Sequence, residues 1–151
     1  MPTALVAAGW QVDMASVQTQ TTSFKAECWQ AVHNLLTDTL KMALYTNAAS
    51  MGAATTVYST SNEVVAAGYT AGGVVLTGAS IGTDGFTAFA SFANPLFTGA
   101  ITARYALIYN TSKANKSVLV LDFGSDKTSL TAFPVTLPPN TATTALLRSS
   151  N

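Results

Sequence analysis

Charge is what this sequence has least of. Of its 151 residues 9% are Asp, Glu, Lys or Arg, and the seven basic side chains cancel the seven acidic ones. Ordinary soluble domains carry about 25%. Zero net charge removes the electrostatic footprint of a nucleic-acid binder and the basic face of a membrane-surface helix. A single cysteine, Cys28, excludes an internal disulfide and any multi-cysteine zinc site, and a free thiol suits a reducing cytoplasm. One histidine, His33, and scattered carboxylates are a thin supply for acid–base chemistry, so the composition argues against an enzyme. The opening Met1–Trp10 has no Lys or Arg before its short apolar run, which does not read as a secretory signal. No run of about 18 apolar residues is present to span a bilayer.

What the chain has instead is Ala and Thr, together about a third of it, within a hydrophobic fraction of 48%. An exterior of Thr, Ser, Asn, Ala and Gly is easy to desolvate, because no ion has to leave water. Two readings stand: a protein built to be covered by other protein, or an uncharged Thr-rich β domain.

Residues 1–22 read as an N-terminal arm, extended or disordered, and 23–151 as the folded domain. Trp10 lies in the arm, tucked back on its own domain or anchored in a partner's pocket; Trp10, Val12 and Val17 are the candidate interface residues. One helix is expected from about Ser23, its N-cap, to Leu36. Phe24, Cys28, Val32, Leu35 and Leu36 fall on one 3.6-period stripe, with Trp29 beside it. Cys28 is expected to pack as a small hydrophobe, and His33 as a packed or helix-face imidazole pointing away from it.

After Asp38 the pattern is short strands with turns about every ten residues. Leu40–Thr46, Thr55–Thr60, Val74–Thr77, Phe86–Phe92, Ile101–Tyr109, Lys116–Phe123, Leu130–Leu137 and Ala145–Leu147 are the candidates. Val118–Leu121 is apolar on both faces, the mark of a strand covered on two sides. The expected fold is mainly β, an antiparallel β-sandwich or jelly roll with one short N-terminal helix and the extended arm. If Asn110 faces Lys116 across the loop 110–115, Arg104 faces Asp122 and makes a structural ion pair.

The remaining motifs carry no chemistry. Gly68–Gly73 lacks the G-x-G-x-x-G spacing, and Gly124–Ser129 ends like a phosphate loop but has no helix after it, so both are turns. Asp84, Asp122 and Asp126 match no calcium loop. No catalytic residue, cofactor site or metal site is expected.

Phe24-Lys25-Ala26, Trp29, Val32-His33 and Thr37–Thr46 resemble the opening of small virion structural proteins of tailed bacteriophages and prophages. The likeness continues in Thr60–Val64, Gly68–Gly73 and Leu76–Gly78 and is strongest in Thr102–Lys113 and Lys116–Ser125, covering about 24–148. It implies a capsid cement or decoration protein that bridges major capsid protein subunits on the head exterior, assembled in the host cytoplasm. Edge strands with few charges to guard them point further to self-association as a dimer or trimer. No nucleic acid or membrane partner is implied. The alternatives are a tail, neck or fibre component, and a carbohydrate-binding surface module using Tyr69 or Tyr109 near Asn110.

Overall fold

A computed structural model describes residues 17–151, and within them the chain is mainly β, with three antiparallel sheets and one short helix near the N-terminus. The main sheet has five strands in the order β1-β8-β7-β2-β3: β1 (Val17–Gln20), β2 (Leu40–Tyr45), β3 (Val74–Val75), β7 (Thr102–Asn110) and β8 (Lys116–Thr128). A three-stranded sheet runs β10-β5-β4, from β4 (Ser80–Asp84), β5 (Thr87–Ser91) and β10 (Leu147–Ser149). β6 (Leu96–Thr98) pairs β9 (Ala132–Pro134) in a two-stranded sheet.

Val17–Gln20, assigned to the arm by sequence, is an edge strand of the main sheet paired with Leu119–Asp122. Thr21 is fully buried behind it. Trp10 and Val12 lie outside the described residues.

Helix α1 (Thr22–Trp29) is shorter than the spacing suggested and starts earlier. Thr21, not Ser23, caps it, accepting from the Phe24 N–H. It stops in a Schellman turn: Val32 N–H bonds Glu27 C=O, Ala31 N–H bonds Cys28 C=O, and Ala31 sits at φ +58°. A glycine normally marks that left-handed position, and an alanine gives no warning of it. The apolar stripe is therefore broken. Phe24 is buried, but Cys28 is exposed, Trp29 is 92% exposed and Leu36 is 59% exposed.

Alternation along β2 divides the interior. Leu40, Met42 and Leu44 enter a large core shared with Ala90, Phe97, Phe133 and Leu147 from the other two sheets. Ala43 and Tyr45 enter a second cluster with Leu107, Tyr109 and Val120 on the opposite face. The central strands are covered on both sides, as Val118–Leu121 implied. The second face is closed by the segment 46–73, through Ala49, Met51 and Tyr58.

The hairpin register starts as expected, with Asn110 opposite Lys116, but slips by one residue. Tyr109 faces Ser117 and Ile108 faces Leu119, leaving Val118 as the extra residue of a bulge. Val118 and Leu119 consequently both enter the large core. Asp122 then faces Tyr105, not Arg104. Gly124–Thr128, expected as a turn, continues β8 past a second irregularity and pairs again at Ala103–Lys127. Thr55–Thr60 is not a strand; only Val57 bridges, to Lys116.

Candidate functional site

Arg104 and Asp122 meet across the second irregularity. Arg104 Nε donates to Asp122 Oδ1 at 2.6 Å and a terminal nitrogen donates to Oδ2 at 3.3 Å. The guanidinium lowers the Asp122 carboxyl below its usual range, helped by the Gly124 N–H. The contact lies at the surface and ties two strands together.

His33 is held in a polar network that links the chain after α1 to the β7–β8 loop. Its side chain is 1% exposed, with Nε2 2.7 Å from Glu27 Oε2 and Nδ1 3.0 Å from the Asn110 amide nitrogen. An amide nitrogen only donates, so Nδ1 accepts and Nε2–H donates to Glu27. Asn110 donates again to Asp38 Oδ2 at 2.7 Å, and Lys116 donates to Glu27 Oε1 at 2.8 Å. Burial pushes the Glu27 carboxyl up, but its bonds to Lys116 and His33 outweigh this and hold it below the usual range. The imidazole has Phe24 against its ring at 5.0 Å and no nucleophile among its hydrogen-bond partners. Its chemistry is that of a tie.

A second network centres on Glu63, which is 6% exposed. Tyr58 Oη donates to Oε2 at 2.6 Å, while Tyr69 Oη and the Gly72 N–H donate to Oε1, each at 2.7 Å. Tyr69 Oη also accepts from the Leu44 N–H, and Tyr109 Oη donates to the Gly72 carbonyl. Tyr58 stacks on Tyr109 at 4.5 Å. This clamp fastens the covering segment to β2 and β7. Burial, with the Glu63 charge second, pushes Tyr109 up to about 12. Tyr58 and Tyr69 are raised further, by burial first and then by their bonds to Glu63.

Alkali should therefore open the protein. Unfolded tyrosines ionise near pH 10, whereas these keep their protons when folded, so the native state binds more protons above pH 10. Stability is then present below pH 10 and falls by up to about 1.4 kcal/mol per pH unit for each such tyrosine until its folded pKa is passed. Urea midpoints at pH 9 and pH 11 measure the effect. Equal midpoints at the two pH values would contradict it.

These networks also bear on ligand binding. Tyr109 and Asn110 are buried, and Tyr69 is half-buried with its hydroxyl engaged. Their rings are therefore not freely exposed for stacking on a carbohydrate, the alternative that named them. No group of three or more His, Cys, Asp or Glu among the described residues could hold a metal. No helix among them is long and apolar enough to cross a membrane.

Among the described residues, an open groove of about 770 Å³ lies between the end of the main sheet and the three-stranded sheet. Gln18–Gln20 of β1 form one wall and Leu147–Ser149 of β10 another, and each strand is the outermost of its sheet. Helix α1 contributes Phe24, Lys25, Cys28 and Trp29; β4 contributes Ile81, which is 51% exposed. Gln20 Nε2 donates to the Arg148 carbonyl, a bridge between the two walls. The Cys28 thiol is raised by desolvation first and then by the Glu27 charge, which favours the thiol over the thiolate.

Exposed apolar side chains recur on outer strands: Val17 on β1, Val75 on β3, Ile81 on β4 and Leu96 on β6. Sequence reasoning missed the groove, whose walls come from segments far apart in the chain, and the Glu63 clamp, whose partners Tyr58, Tyr69 and Gly72 lie near Glu63 in sequence but follow no spacing rule. The only advance signal for the groove was a tryptophan next to, but not on, the apolar stripe. No protein-family model, curated protein or solved structure matches the chain.

Proposed function

We propose that this chain is a structural component of a tailed-phage particle, a cement or decoration protein that bridges major capsid subunits on the head exterior. In this reading the three sheets close on one another as a β-sandwich of jelly-roll type. The protein works as an assembling dimer or trimer without catalysis or cofactor.

The observation that supports this best is where the few charges sit. Arg104, Asp122, Lys113, Asp38, Lys116 and Glu27 pair with one another, and Glu63 is buried in its clamp. Of the outer strands, β1, β3 and β6 carry no charged residue and expose valine or leucine, while β4 and β10 carry one each, Asp84 and Arg148, so little charge is there to repel another strand. An exterior of that kind docks at little desolvation cost. Modest contacts repeated over a shell add up through avidity.

The test uses heads of the virus or prophage that encodes the chain, purified without this protein and mixed with it. Sedimentation should show hundreds of bound copies per head, and the temperature at which heads rupture should rise. A chain lacking residues 1–16 retains the sequence of every described element; it should stay folded, checked by circular dichroism, and bind heads at least tenfold more weakly. Binding of a few to some dozens of copies would move the assignment to tail, neck or fibre. No binding to any part of the particle would overturn it.

A further inference from the structure

We infer that the groove between β1 and β10 is the receptor for the N-terminal segment, residues 1–16, of a second copy of this chain. The inference does not require a capsid and applies to the isolated protein.

Three observations point to this occupant. The first is the form of the groove. Two of its walls are outermost strands of different sheets, and such edges accept an added extended strand through main-chain hydrogen bonds. Trp29, at 92% exposure, and Ile81 add an apolar rim that water alone does not explain.

The second is charge. Among the described residues, the only charged side chains lining the groove are Lys25 and Arg148, both basic and exposed. The one charged side chain among residues 1–16 is Asp13, and the rest of that segment is rich in Ala, Val, Leu and Met with Trp10 as its one aromatic. An apolar strand with a single carboxylate complements an apolar groove with two cations.

The third is chain direction, which selects a second copy over the same one. β1 runs from Val17 into α1, and the groove lies at the Gln18–Trp29 end of that path; Val17 itself does not line it. Sixteen residues reach at most about 55 Å when extended, enough to cross to a neighbour.

Cys28 makes the inference testable, because it is the chain's only cysteine and it lines the groove. A Val12→Cys, Cys28→Ala chain is mixed with the unaltered chain and oxidised at pH 9. The expected product is a mixed disulfide dimer, formed at least tenfold above the Cys28–Cys28 background of the unaltered chain alone. Moving the new cysteine through positions 8 to 13 covers an offset in register. Asp13→Lys should weaken self-association several-fold, and Lys25→Glu in the same chain should restore it. Absence of the mixed disulfide at every position overturns the inference. So does a Val12→Cys chain with Cys28 intact that closes on itself as a monomer, since that places the segment in its own groove.

Discussion

Gly73→Ala is expected to unfold the protein, or to cost about 4 kcal/mol or more, the largest effect of any glycine substitution in the described chain. Gly73 has φ +78°, a conformation that side chains disfavour, and a Cβ there would overlap the Met42 carbonyl. The same Cβ would stand 2.8 Å from the Ala43 Cα. These obstacles are backbone atoms of β2, in the middle of the main sheet, and cannot swing aside. Either β3 leaves β2 or β2 distorts, and both open the large core at Met42. Gly85→Ala is the control. Gly85 has φ +57° but open space around its Cα, so it should lose only the left-handed penalty of about 1–2 kcal/mol. Urea unfolding of the two variants separates the steric effect from the conformational one. Equal losses at both positions would mean that the close approach of Gly73 to β2 is wrong.

Glu63→Ala is the second large effect, an expected loss of about 3–5 kcal/mol. It removes the acceptor of two part-buried tyrosine hydroxyls and of the Gly72 N–H, so that three donors lose their acceptor and Tyr69 Oη keeps only the bond it accepts from the Leu44 N–H. Glu63→Gln should cost far less, about 1 kcal/mol. Its carbonyl oxygen can serve Tyr69 and Gly72, and its amide can donate to the Tyr58 oxygen. The urea midpoints of the two variants, read beside near-ultraviolet tyrosine dichroism, distinguish a clamp from simple packing. If Glu63→Gln is as damaging as Glu63→Ala, the charge itself matters. If both are neutral, the segment 46–73 is held by apolar contacts alone. Loss of the clamp should also flatten the alkaline fall in stability, since the Glu63 charge contributes to the raised tyrosines.

Both substitutions act on one design, a segment folded over the second face of the main sheet. The run Val118–Leu121, apolar on both faces, implied a strand covered on two sides, and the structure supplies both covers. What covers the second face was not readable. Glu63 meets Tyr58, Tyr69 and Gly72 within ten residues, but these join β2 through Leu44 and β7 through Tyr109. A carboxylate among tyrosines has no spacing rule of the kind that marks a helix or a metal site.

Local signals in the amino-acid order were enough for the mainly β character, the single helix and its place, and the loop that sets Asn110 against Lys116. Each depends on neighbours within about ten residues, where alternation, period and turn chemistry act directly. The scarcity of ionic side chains was equally plain before any folding. Tertiary structure decided the rest. It ended α1 at Trp29 through a left-handed alanine, slipped the β7–β8 register at Val118, and drew Glu27, His33, Asp38 and Asn110 into one network. It also left Trp29 in water at the mouth of a groove built from five separate elements. The reason is physical. Packing against distant segments can outweigh the fractions of a kcal/mol that separate one local conformation from another, and distance along the chain hides those partners until it folds.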